Sequence, residues 1–190
     1  MGRVKRSRSK NIACLESFWT HDAAADNRLS VSPLLEVISR RDRNRYVFLT
    51  CSTVEELRLN LHIAKQMRRG ILHLAFHGYA GGFRMLDLKI DIESLAALMR
   101  KDFKKNWILL FDSCLTLKIE RERIKKFMED TGIEMLVGFK KKVDFLDAAA
   151  IALLFLDGVQ FYVDLRKFWN RFRMAYGELI SICGMVAFIR

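Results

Sequence analysis

Six short runs of apolar residues punctuate the chain. Four are Asn11–Leu15 (NIACL), Tyr46–Thr50 (YVFLT), Ile71–Phe76 (ILHLAF) and Trp107–Phe111 (WILLF). A fifth is Glu134–Phe139 (EMLVGF), and a sixth lies at Gly184–Ile189 (GMVAFI). Hydrophobicity within each run is nearly continuous rather than alternating. Strands of this kind belong to parallel sheets covered on both faces, where neither side meets water. Between the runs, apolar residues recur at helical spacing. This predicts helices over Val31–Arg40, Thr53–Arg69, Ile92–Lys101, Ile119–Asp130, Phe145–Leu156 and Leu165–Tyr176. Pro33 suits a first helical turn. Thr53 and Glu56 have the spacing of a capping box, and glycines at 70 and 132 stand at helix ends.

Strand and helix thus alternate. That succession predicts an α/β fold, a three-layer αβα sandwich around a mostly parallel sheet of about six strands. Connections are short, Pro33 is the only proline, and no stretch has linker composition. The expected organisation is a basic tail over residues 1–10 followed by a single domain over 11–190.

Composition sharpens this picture in a few places. Hydrophobic residues make up 51% of the 190, which supplies a core and excludes global disorder. The formal net charge is +11, part of it concentrated in MGRVKRSRSK, which holds five basic residues and no acid. Such a run reads as a solvated tail. Further basic clusters, at 40–41, 68–69, 104–105 and 140–142, fall on different elements. No nucleic-acid module or aromatic ribbon accompanies them, so the charge does not designate a nucleic-acid partner. Arg6 stands where an N-terminal acylation signal requires Ser or Thr. No apolar segment follows the basic start, and none reaches the roughly 18–20 residues that span a bilayer. Cys14, Cys51, Cys114 and Cys183 are widely separated and form no CxxC pair. That spacing favours neither a metal site nor a disulfide framework, and a reducing cytoplasm without cofactor or metal is the expectation.

In open α/β sheets, ligands bind beyond the carboxyl ends of strands. ILHLAF is followed by His77-Gly78-Tyr79-Ala80-Gly81-Gly82, and WILLF by Asp112-Ser113-Cys114-Leu115. If the two strands are neighbours, an imidazole and a thiol leave the same edge. A thiolate is a nucleophile, and an imidazole beside it takes or holds its proton. Gly78 lets a substrate carbonyl approach the backbone closely, so its N–H and that of Cys114 form a candidate oxyanion hole. The glycine-rich segment after His77 reads as a loop with room for a peptide. A free Cys at a strand end is more often a small buried hydrophobe; joint occurrence with His-Gly at an earlier strand end singles out Cys114. His73 sits inside its strand and reads as a core histidine. Neither His21 nor His62 belongs to a motif, and a Cys-based phosphate loop would need Arg where Glu120 stands.

The segment from Ile71 to Cys114 resembles the caspase-like cysteine peptidases, in which an apolar strand ends in His-Gly and a later one ends in a catalytic Cys. ILHLAFHG is similar to the His motif of CHAT domains. FDSCL is closer to clostripain-like peptidases, and MLVGFKKKVDFLDAAAIALL resembles the strand and Ala-rich helix that follow the Cys. This resemblance implies a cysteine endopeptidase with His77 and Cys114 as its dyad and a protein or peptide as its substrate. It implies that Asp112, joined by Asp144, lines a pocket for Arg or Lys before the scissile bond. Both carboxylates also have a plainer reading as helix caps. The QAC-type caspase signature is absent, and one helix nearly fills the interval from Leu115 to Glu134 where caspases carry a cleavable linker. The resemblance therefore points to control by a regulatory protein partner, in a role such as bacterial stress, cell death or antiphage defence. Fold does not guarantee activity, and the alternative is a catalytically silent module that serves as a protein-interaction scaffold.

Overall fold

The computed structural model describes residues 10–19, 29–42, 46–67, 70–99, 103 and 107–190. Most of the basic tail, His21 and the basic pairs at 68–69 and 104–105 lie outside the described residues.

Six strands form the main sheet: β1 Asn11–Glu16, β2 Tyr46–Thr50, β3 Gly70–Ala75, β7 Ile108–Asp112, β8 Met135–Phe139 and β9 Met185–Ile189. Their order is β2-β1-β3-β7-β8-β9. Every pairing is parallel except the last, where β9 runs antiparallel to β8. The apolar runs had to be continuous because alternate residues feed two separate cores. Leu72, Leu74, Leu109 and Phe111 point to one face, against α2 Val54–Lys65, α3 Ile92–Met99 and α4 Arg121–Thr131. Ile71, Ala75, Ile108 and Leu110 point to the other, against α1 Ser32–Asp42, α5 Phe145–Gly158 and α6 Leu165–Cys183. The result is the three-layer αβα sandwich that the alternation of elements predicts. Among the described residues, no helix is long and apolar enough to cross a membrane.

The local signals act as their chemistry requires. Thr53 and Glu56 close a reciprocal capping box on α2. Gly132 ends α4 in the left-handed region at φ 79°, with its N–H bonded to the Met128 carbonyl. The helix expected over Leu165–Tyr176 continues to Cys183, but Tyr176 is non-helical (φ −129°, ψ 27°). The apolar period therefore stops at a real break, and a second helical segment follows it.

One expectation is corrected. The segment after His77 is not an open loop. It forms a small antiparallel sheet of β4 His77–Tyr79, β5 Gly82–Met85 and β6 Leu88–Asp91. Phe83, Met85 and Ile90 bury into the α2–α4 core while Arg84 faces out, and Phe83 stacks on Phe76 at 4.6 Å. The two-residue period was present in Phe83-Arg84-Met85, but the glycines around it had masked it.

Lys10 belongs to the folded body. Its backbone N–H donates to Gln160 Oε1 at 2.7 Å. Its ammonium donates to the carbonyls of Val159 (2.7 Å), the first residue of the 3₁₀ turn Val159–Phe161, and of Tyr162 (2.8 Å), just after it. Burial pushes this ammonium down from 10.5 to about 8. The folded state then binds fewer protons than the unfolded chain between about pH 8 and 10.5, so this group makes stability rise with pH across that window. Below it, the cost of keeping the charge buried is felt in full. Denaturant midpoints of wild type and Lys10→Met should therefore diverge in favour of wild type as pH rises from about 8 to 10.5. Parallel curves would show that Lys10 titrates normally.

Candidate active site

The last rung of the β3–β7 ladder pairs Ala75 with Asp112. Two residues beyond it, one chain reaches His77 and the other Cys114. Adjacent strands lie about 4.8 Å apart, so the two chains leave the sheet edge side by side. Both line a single cavity of about 370 Å³ at the carboxyl edge of the sheet. Trp19, Phe139, Val143 and Phe145 supply apolar wall, and Arg84, Asp112 and Lys142 supply charge.

The turn that carries Cys114 is held from both sides. Toward the small sheet, Thr116 Oγ1 donates to the Gly82 carbonyl (3.0 Å) and Gly81 N–H donates to the Thr116 carbonyl (3.2 Å). Toward β8, Leu115 N–H donates to the Lys141 carbonyl and Leu117 N–H to the Phe139 carbonyl. These bonds hold Leu115 at φ 63°, a left-handed conformation that costs a residue with a Cβ about 1 kcal/mol. Gly78 lies directly against this turn. A Cβ at position 78 would overlap the backbone N and O of Cys114 and the carbonyl carbon of Ser113. Only glycine permits the His77 strand to approach the Cys114 backbone this closely.

His77 is exposed, lines the cavity and is held there by Trp19. Its Nε2 lies 2.8 Å from the Trp19 carbonyl oxygen, and the Trp19 indole meets the imidazole edge-on at 5.1 Å. A carbonyl only accepts, so Nε2 carries the proton and Nδ1 is the other ring position. Cys114 is half-buried. Its Sγ accepts the Val143 N–H at 3.3 Å and lies 3.6 Å from the Val143 carbonyl oxygen. The sulfur is thus bracketed by both backbone groups of Val143, accepting from its N–H and placed to donate to its carbonyl.

Asp112 lines the cavity but is 95% buried, with one oxygen 3.0 Å from His73 Nε2. His73 is fully buried, as its place inside the strand predicts, and it has the further task of holding this carboxylate. Asp144 takes the plainer of its two readings. Its side chain accepts the Leu146 N–H at 2.8 Å as the N-cap of α5, and it is absent from the cavity lining. Arg84 stands opposite His77 across the small sheet and lines the cavity with Lys142.

The remaining thiols contrast with Cys114. Burial, with the charges of Glu16 and Asp112 behind it, pushes Cys14 well up. Burial and Glu56 push Cys51 up to about 12, and burial and Asp147 raise Cys183 to about 11. All three are buried and free.

Sequence reasoning missed Trp19, Val143 and the link from His73 to Asp112. The Trp19 carbonyl and the Val143 N–H are backbone groups, so no side-chain motif marks them. The third needs the register of β3 and β7.

Residues 9–189 match the family of unknown function DUF6642, and the chain belongs to that family. A search of curated proteins finds no match.

Two outcomes follow from this geometry. Iodoacetamide at about pH 8 should alkylate Cys114 first and reach Cys14, Cys51 and Cys183 only on unfolding, since those three are buried and burial keeps them protonated, while Cys114 is within reach of the reagent. Peptide mapping by mass spectrometry reads the order, and earlier modification of a buried thiol contradicts it. Gly78→Ala should destabilise the fold by about 1–3 kcal/mol through overpacking and slow Cys114 alkylation. An unchanged denaturation midpoint would mean that the two backbones are not in contact.

Proposed function

We propose that the protein is a cysteine endopeptidase that uses His77 and Cys114. The observation that carries this reading is the shared cavity: both side chains line it, each two residues past one registered rung of neighbouring parallel strands. Its volume, about 370 Å³, suits a small number of peptide side chains.

The chemistry runs through groups already described. Cys114 Sγ gives its proton to His77 Nδ1 and attacks the peptide carbonyl, forming the S–C bond. The developing oxyanion lies against the backbone N–H groups of Gly78 and Cys114. Collapse breaks the C–N bond, and the imidazolium returns its proton to the leaving amine. Water then hydrolyses the thioester: the carboxylic acid leaves and the thiol is restored. The Trp19 carbonyl keeps Nε2 protonated throughout, so one tautomer serves both transfers.

Asp112 supplies the substrate preference. His73 holds one of its oxygens, which fixes the carboxylate at the cavity wall. A cationic Arg or Lys side chain of the substrate is its natural partner, through a charge-assisted hydrogen bond. This assignment is the one that the resemblance of FDSCL to the clostripain-like motif implies.

The test uses chloromethyl ketones and fluorogenic peptides that end in Arg, Lys or Asp. Wild type should gain covalent mass at Cys114 with the Arg and Lys reagents, and Cys114→Ala should gain none. Asp112→Asn should reduce the preference for Arg over a neutral residue by about tenfold; an unchanged preference removes Asp112 from the pocket. Cys114 left unlabelled by every reagent would favour the protein-interaction scaffold instead.

A further inference from the structure

Glu16 is a buried carboxylate with an unusual set of partners. It ends β1 on the face that carries Ile12 and Cys14, and only 5% of it is exposed. If packing alone mattered, an apolar residue would serve there at lower cost, because burying a carboxylate costs several kcal/mol unless it is fully hydrogen-bonded. Glu16 answers that cost with three donors. Trp19 Nε1–H and the Val31 N–H both meet Oε1, at 2.9 and 2.8 Å, and Ser30 Oγ–H meets Oε2 at 2.7 Å. Among the described residues none of the donors is a cation. One carboxylate therefore gathers Trp19 and the pair Ser30–Val31 onto the end of β1.

Trp19 is also the residue that touches His77. Its carbonyl accepts Nε2–H, and its indole lies edge-on to the imidazole and, at 5.8 Å, to Phe145. The indole edge is bound to Glu16 while the carbonyl of the same residue is bound to His77. Fixing the first fixes the second, because a pinned side chain limits the backbone torsions of its own residue. We infer that Glu16 is a positioning residue for the active site: it holds Trp19 so that the Trp19 carbonyl keeps His77 in the Nε2–H tautomer, which leaves Nδ1 as the ring's acceptor. The consequence for catalysis rests on the peptidase reading; the consequence for the His77 tautomer does not.

Position 16 separates the two roles of its side chain. Glu16→Gln keeps an oxygen for Trp19 and Val31, and its amide can donate to Ser30 Oγ. Glu16→Ala removes all three bonds. Trp19→Phe keeps ring and carbonyl but deletes the indole donor, and it serves if the alanine variant does not fold. The first readout is the His77 tautomer, from long-range ¹⁵N–¹H correlations of the imidazole. Wild type and Glu16→Gln should hold Nε2–H, while Glu16→Ala and Trp19→Phe should show a tautomer mixture. The second readout is the rate of Cys114 labelling by the Arg chloromethyl ketone. It should fall about 10–100-fold in Glu16→Ala and Trp19→Phe, as losses of orienting contacts do, and stay within about threefold of wild type in Glu16→Gln. The concentration for half-maximal labelling should barely move, since Glu16 does not line the cavity. A single tautomer in every folded variant overturns the inference. A tautomer change in a protein whose wild type never labels would leave the positioning role intact and remove the peptidase reading instead.

Discussion

The parallel ladder between β3 and β7 governs everything at the candidate site. Its last rung sets Ala75 beside Asp112, and from there each chain runs two residues to His77 and Cys114. A shift of register by one residue would turn the slipping strand's side chains to the opposite face. That slip is opposed by the two cores, since Leu72 and Leu74 are committed to one helical layer and Ile71 and Ala75 to the other. The energy that sets the separation of His77 and Cys114 is therefore mainly hydrophobic and lies some distance from either residue. Gly78 then allows the final approach, where backbone meets backbone with no side chain between.

Four polar side chains at this edge have defined partners. Asp112 leans on His73, Glu16 on three neutral donors, His77 on the Trp19 carbonyl and Cys114 on Val143 N–H. Several of these partners are backbone atoms, whose positions follow from the fold rather than from a rotamer. Side chains held this way have little conformational entropy left to lose on binding a ligand. The charges that face the cavity differ in setting. Asp112 is sunk in the wall, while Arg84 and Lys142 are exposed on it. A charged group entering the cavity would therefore meet the cations through water and the carboxylate in a drier environment, where electrostatic interaction is stronger.

Much of this was legible from the residues alone. Continuous apolar runs marked all six strands of the main sheet to within a residue or so. Thr53 with Glu56, and Gly132, marked helix ends. His77 and Cys114 stood out because each directly follows a run whose burial on both faces could be read from its composition. The small sheet was not legible in the same way: its strands are three or four residues long, and glycines at 78, 81 and 82 mimic a loop. Asp144 could be a pocket wall or a helix cap on sequence grounds, because an Asp before a helix has the same appearance in both cases.

The sequence by itself determined the αβα layering, the approximate ends of its elements and the two strand-end motifs, because each depends on residues close together in the chain. Tertiary structure alone decided that β3 and β7 are neighbours, that Ala75 faces Asp112, and that His73 reaches the Asp112 carboxylate. It also decided that the Trp19 carbonyl and the Val143 N–H are the groups on His77 and Cys114. The reason is physical: every residue except proline has both an N–H and a C=O, so a backbone partner is chosen by where the chain passes and not by which residue is there.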